Sequence, residues 1–156
     1  MTTVADRLTR PGIRQATRGD LLDVFRIERE SFAQPWPFSA FEGHLGDPGF
    51  LVAEPAGDGV VGYVVADTVP TRGRPLGHVK DLAVHPDARG RGVGTSLLER
   101  ALGVLRSTGA TRAKLEVRRS NRRAISLYRE FGFEYHRTLD RYYADGEDAF
   151  VMLVGL

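Results

Sequence analysis

The order of strand-like and helix-like segments along this chain, β-α-α-β-β-β-α-β-α-β-β, predicts an α+β or mixed α/β fold, a sheet with helices on both faces. Three observations carry that prediction. Residues 111–117 alternate, which puts Ala113, Leu115 and Val117 on one face of a strand and Lys114 and Glu116 on the other. Leu97, Leu98, Ala101, Leu102 and Leu105 recur at helical spacing until Gly109. Between a strand-like run at 79–84 and that helix stands a glycine-rich hexapeptide, Arg89-Gly90-Arg91-Gly92-Val93-Gly94.

The other elements have local causes of their own. Alternation over residues 12–17 predicts a first strand. Thr17, three residues before Asp20, is placed to cap a helix that carries Leu21, Leu22, Phe25, Glu28 and Phe32 and is ended by Pro35 and Pro37. Ser39 and Glu42 have capping-box spacing, predicting a short second helix that stops near Gly46. Residues 50–54 and 60–68 read as a hairpin across Gly57-Asp58-Gly59, 71–77 as a loop and 78–84 as the next strand. Asn121 is placed to cap a helix with Ala124, Ile125, Tyr128 and Phe131 that stops at Gly132. Residues 133–139 and 149–154 then read as strands on either side of Asp145-Gly146.

With 156 residues, 42% of them hydrophobic and 27% charged, the chain is expected to be one folded domain over residues 1–156. No run approaches the roughly 18 apolar residues of a membrane span. The start, Met1-Thr2-Thr3-Val4-Ala5-Asp6, lacks the apolar segment of a secretory signal, so a cytoplasmic protein is expected. The absence of cysteine excludes disulfides, thiolate metal sites and a cysteine acyl-enzyme. His44 and His136 have no metal-ligand spacing with His78 and His85, and the latter two are expected to be structural or solvent-exposed. A net charge of +2 does not single out nucleic acid as a partner.

The glycine loop has the chemistry of an anion cradle. Helix starts carry unpaired N–H groups and the positive end of the macrodipole, and glycine lets the main chain bend close to a phosphate. It is not a P-loop, because no Lys-Ser or Lys-Thr pair follows a glycine. Nor is it a dinucleotide fingerprint, since Gly90, Gly92 and Gly94 are spaced Gly-x-Gly-x-Gly and Thr95 replaces the third glycine. The remaining pattern, Arg89-x-x-Gly92-x-Gly94, resembles the acyl-CoA pyrophosphate loop of the GNAT N-acetyltransferases.

Further motifs strengthen the resemblance. Leu115-Glu116-Val117-Arg118-x-Ser120-Asn121, Ala124-Ile125-x-Leu127-Tyr128 and Phe131-Gly132-Phe133 resemble the RimI branch of GNAT enzymes, the protein N-terminal acetyltransferases. Tyr142-Tyr143-Ala144-Asp145-Gly146-Glu147-Asp148-Ala149 resembles the end of the archaeal and eukaryotic NatA catalytic subunits. The resemblance implies a GNAT fold with a central, mixed, twisted sheet of about seven strands. It also implies acetyl-CoA as co-substrate, inserted between two splayed parallel strands matching 78–84 and 111–117. The pantetheine would pair with Leu82, Ala83 and Val84. The pyrophosphate would sit on the loop of Arg89, Gly90, Arg91, Gly92, Val93, Gly94 and Thr95. Asn121 would be a second cofactor contact, although a cap alone explains it as well.

By the same resemblance Glu116 is the general base and Tyr128 the acid that protonates the departing thiolate. Without it, Glu116 reads as a surface strand residue and Tyr128 as a core ring. Pro35, Trp36, Tyr142 and Tyr143 would line the acceptor side, and Trp36 equally suits a core plug. Such an aromatic, proline-stiffened slot suits an extended peptide better than a large nucleotide. The implied activity is protein Nα-acetylation by direct attack in a ternary complex, without a metal. Its partners would be protein N-termini, those of ribosomal proteins among them, with no membrane and no specific nucleic acid. The chain would be a monomer or weak dimer that admits an auxiliary subunit. The alternatives are a GNAT enzyme acting on lysine side chains or polyamines, which an acceptor panel separates, and a silent acyl-CoA sensor or RNA-binding module. Glu116 and Tyr128 argue against the sensor, and the lack of an aromatic platform argues against RNA.

Overall fold

The computed structural model describes residues 12–55 and 59–156; the chain start and residues 57 and 58 of the expected hairpin turn lie outside them. The described elements are β1 (Ile13–Gln15), α1 (Leu21–Ser31), α2 (Phe38–Gly43), β2 (Phe50–Ala53), β3 (Gly62–Val69), β4 (Leu76–Val84), α3 (Val93–Ser107), β5 (Arg112–Arg118), α4 (Arg122–Glu130), β6 (Glu134–Leu139) and β7 (Ala149–Gly155). Short 3₁₀ turns occupy Arg18–Asp20 and Pro86–Ala88. The strands form one seven-stranded sheet in the order β1-β2-β3-β4-β5-β7-β6. β4 and β5 run parallel, whereas β1–β2, β2–β3, β5–β7 and β6–β7 are antiparallel. This is the predicted mixed α/β class, with strands and α-helices in the predicted order. Two compact units divide the chain: Met1–Val65 with Asp81–Ala101, and Ala66–Lys80 with Leu102–Leu156.

In the first unit, α1 buries Leu21, Val24 and Ile27 in a cluster with Phe41, Phe50, Val52, Tyr63 and Val65. Each such side chain contributes roughly 1.5–3 kcal/mol on burial. The predicted stripe on this helix was rotated: Leu22 is 61% exposed, and Val24 and Ile27 face inward beside Glu28. Thr17 and Asp20 form the expected box at the helix entry. Arg14 forks onto the two Asp20 oxygens at 2.7 and 2.8 Å. That hydrogen bond, opposed by burial and aided by Thr17, lowers the Asp20 carboxyl to about 2. The Ser39–Glu42 box does not form. Pro37, extended at ψ 155°, is the N-cap of α2, which puts Ser39 inside the helix. Glu42 instead meets Arg18 at 3.4 Å.

In the second unit, β5 pairs with β7 over seven residues, from Arg112↔Gly155 to Arg118↔Ala149. Ala113, Leu115 and Val117 are buried, whereas Lys114 and Glu116, on the opposite face, are partly open. Asn121 caps α4, its Oδ1 accepting the Ala124 N–H at 3.2 Å. The β4–β5 ladder registers Gly77–Val79 against Ala113–Leu115, while β4 itself runs on to Val84 and β5 to Arg118. β4 starts at Leu76, so the expected 71–77 loop is shorter than read. On β6 the register slips between Tyr135 and Arg137, a β-bulge at His136.

Candidate active site

Glu116 has the environment of a working carboxylate. Its side chain is 13% exposed, and it accepts from His78 Nε2 at 2.6 Å and Lys114 Nζ at 3.1 Å. Burial alone would raise its pKa; the hydrogen bond and charge of His78, then those of Lys114, outweigh this and hold the carboxyl at about 2. It is therefore ionised throughout the neutral range. The sequence placed His78 as structural or exposed and missed its contact with Glu116. The signal lay in the parallel register, which sets His78 opposite Lys114, two residues from Glu116.

The Tyr142–Tyr143 segment belongs to the same unit. Arg118 lies over the Tyr143 ring at 4.0 Å and reaches both Asp145 and Glu147 at 2.9 Å. Tyr142 meets Tyr143 edge-on at 5.0 Å, and Tyr142 is 52% exposed. Burial raises the Tyr143 phenol to about 12, with the Glu116 charge among the smaller contributions and Arg118 opposing. Tyr143 thus stands within the field of Glu116, on a loop clamped by an arginine. Tyr128 is buried against Phe133, ring centroids 5.7 Å apart.

The glycine loop lies in the first unit. α3 begins at Val93, and Ser96 N–H is the amide that closes onto Gly92 C=O, at 3.0 Å. The amides of Val93, Gly94 and Thr95 thus have no acceptor within the helix. Gly90 and Gly92 adopt φ +78° and +79°, and a Cβ at either would meet nothing within 4 Å. Glycine is required there for the sign of φ, and the space above it is open. Arg89 Nε donates to Val84 C=O at 3.1 Å, and Leu82 N–H donates to Asp81 Oδ1 at 2.9 Å. The donor set and open surface fit a pyrophosphate.

A second buried network in this unit escaped the sequence reading. Glu28, 2% exposed, accepts the Trp36 N–H at 2.8 Å and the Tyr63 hydroxyl at 2.5 Å. Tyr63 also reaches Asp81 at 3.4 Å. Burial first, then its hydrogen bond with Glu28 and the charge of Glu28, push the Asp81 carboxyl well above its usual range. This network fixes the backbone between α1 and α2. There Trp36 packs against Phe41 at 5.4 Å and His44 at 5.9 Å, half in the core as the plug reading allowed, and Pro35 is exposed. The signal was Glu28 on the same stripe as Leu21 and Val24.

In this mixed sheet β4 leads into a glycine-lined helix start, and its parallel partner β5 carries a desolvated carboxylate. Residues 20–133 match the acetyltransferase (GNAT) family, and the chain belongs to that family. It is 40% identical over 156 residues to an N-alpha-acetyltransferase of Sulfolobus acidocaldarius, covering 92% of each chain. It is 33% identical over 136 residues to the ribosomal protein bS18-alanine N-acetyltransferase of Salmonella typhimurium, covering 85% of this chain and 89% of that one. A crystal structure of Ard1 from Thermoplasma volcanium superimposes with a TM-score of 0.85 at 28% identity, covering 94% of this chain and 98% of the other. Among the described residues no helix is long and apolar enough to cross a membrane.

Proposed function

We propose that residues 1–156 act as one protein Nα-acetyltransferase domain, moving acetyl from acetyl-CoA directly to a free N-terminal amine. Acetyl-CoA is the donor used by this family, and the thioester supplies the activated acyl group. Arg89 to Thr95 hold the pyrophosphate, Leu82 to Val84 the pantetheine, and Asn121 adds a contact beside its cap. Pro35, Trp36, Tyr142 and Tyr143 flank the acceptor's first residues. Glu116 receives the amine, and Tyr128 protonates the leaving sulfur.

The observation that carries this reading is the proton affinity of Glu116. A carboxyl held near 2 would take a proton directly from an α-ammonium of reference pKa about 8 only at a cost of roughly 8 kcal/mol. Glu116 therefore works as an acceptor that orients the amine and offsets the positive charge the nitrogen gains on attack, with the proton leaving through water. Such a site depends on amines that are neutral unaided. Near pH 7.5 an α-amine reaches its neutral form for under about 1 kcal/mol, whereas a lysine needs about 4 kcal/mol. The relatives named for N-terminal and ribosomal-protein-alanine acetylation support the same choice, so N-termini of ribosomal proteins are among the acceptors to try. The test is a peptide with a free N-terminus and a small first residue against the same peptide blocked at its N-terminus and carrying an internal lysine. The first should react far faster. Equal rates, or a preference for the lysine, reject the Nα assignment.

A further inference from the structure

The second unit contains a cavity of about 380 Å³ with Glu116 in its wall, and the chemistry above gives no role to the rest of its lining. Its apolar lining is Leu76, Val151 and Leu153, and its charged lining includes Arg112, Lys114 and Arg137. The ladder accounts for this grouping. Glu116 pairs with Val151 and Lys114 with Leu153 across β5–β7, and Arg137 pairs with Val151 across β6–β7. Directly opposed residues share a face, so these side chains converge on one side of the sheet. The bulge at His136 displaces β6 locally and brings that histidine into the wall.

Basic residues outnumber acidic ones in the cavity lining, and exposed Glu134, opposite Leu153 on β6, borders the same face. Glu116, its acidic residue, is already engaged by His78 and Lys114. Arg112 and Arg137 are exposed and have no carboxylate partner among the described residues. Two free guanidiniums beside an apolar floor suit an extended chain that carries carboxylates. The direction follows from the cavity, whose β5 lining runs from Glu116 back towards Arg112 and does not include Arg118. Lys114 and Arg112 lie two and four residues back from Glu116 on β5, roughly 7 and 13 Å at about 3.3 Å per residue. That is the reach of the third to fifth residues of an extended peptide whose amine is at Glu116.

From this geometry we infer that the groove over β5, β7 and β6 binds the acceptor polypeptide downstream of its N-terminus and selects Asp or Glu at its third to fifth positions through Arg112 and Arg137. The inference rests on the Nα reading of Glu116, and its test separates the two. Peptides with free N-termini and identical first two residues carry Glu, Gln or Lys at positions three to five, and kcat/KM is measured for each at fixed moderate salt. The expected order is Glu over Gln over Lys, with roughly tenfold between Glu and Gln, expressed mainly in KM and shrinking as salt rises. In the Arg112→Glu, Arg137→Glu double variant, whose fold is checked by its melting temperature, the Glu-to-Lys ratio should invert. Because the readout is a ratio within one protein, general loss of activity does not imitate it, and the Arg112→Gln, Arg137→Gln pair should flatten it.

Equal kcat/KM for the Glu and Gln peptides, or a ratio unmoved by the charge reversal, overturns the groove assignment. So does suppression of acetylation by polyuridylate with no discrimination among peptides, which would give the groove to nucleic acid. If the N-terminally blocked lysine peptide reacts as fast as the free ones, the failure belongs to the Nα reading instead.

Discussion

At the scale of single residues, Glu116 and Asp20 show one electrostatic rule with different outcomes. Both are desolvated carboxylates held at about 2 by cationic or hydrogen-bonding partners. Glu116→Gln keeps the shape and removes the charge, so kcat should fall about 10²–10³-fold, the range for loss of one electrostatic stabiliser, with acetyl-CoA affinity little changed. A variant turning over at the wild-type rate removes Glu116 from the chemistry. Because the carboxyl stays ionised far below neutrality, its own titration adds no acid limb to kcat between pH 5 and 9, which a pH–rate profile of both proteins checks. Asp20 serves stability. A carboxyl lowered from its usual 3.8 to about 2 stabilises the fold by roughly 2 kcal/mol above its unfolded pKa, and this contribution is lost as pH falls through the folded value. Urea titrations should therefore show Asp20→Asn less stable by about that amount at pH 6, with the gap closing between about pH 4 and 2.

At the scale of elements, the start of α3 and the α1–α2 connection carry separate tasks. Gly92→Val forces a β-branched residue into φ +79°, which turns the amides of the helix start away from a phosphate. Most of the thermal stabilisation by acetyl-CoA should vanish in that variant. Glu28→Gln leaves an acceptor for Trp36 N–H but weakens the charge-assisted bond from the Tyr63 hydroxyl. The expected loss is about 1–3 kcal/mol of stability, with a rise in peptide KM larger than any change in acetyl-CoA binding. Titrating both substrates separates these effects. The elements were legible wherever periodicity was local, as at Ala113, Leu115 and Val117, or at Asn121, whose cap needs only Ala124 three residues on. Ser39 misled because the capping spacing is blind to the proline before it, whose extended backbone had already begun the helix at Pro37. Glu28, Tyr63 and Asp81 were not legible as a set. They come from α1, β3 and β4, far apart in sequence, and only folding makes them neighbours.

At the scale of the whole molecule, ligand binding and ionisation both become terms in the unfolding equilibrium. Acetyl-CoA at about 100 times its dissociation constant should add about 2.7 kcal/mol and raise the melting temperature by roughly 5–10 °C. NAD and ATP should do much less; an equal shift from either would contradict the cofactor assignment. The raised proton affinity of Asp81 leaves a mark on the same equilibrium. Its folded pKa is raised, so between its unfolded value near 3.9 and that folded value the native chain holds a proton that the unfolded chain releases. Within that interval unfolding acidifies the solution through Asp81, and this group's contribution favours the native state less as pH climbs. The calorimetric enthalpy should then differ between phosphate and a buffer with a large heat of protonation, and Asp81→Asn should shrink that difference. One carboxyl whose proton is held more tightly in the fold than in the open chain makes the heat of melting depend on the solvent's appetite for protons.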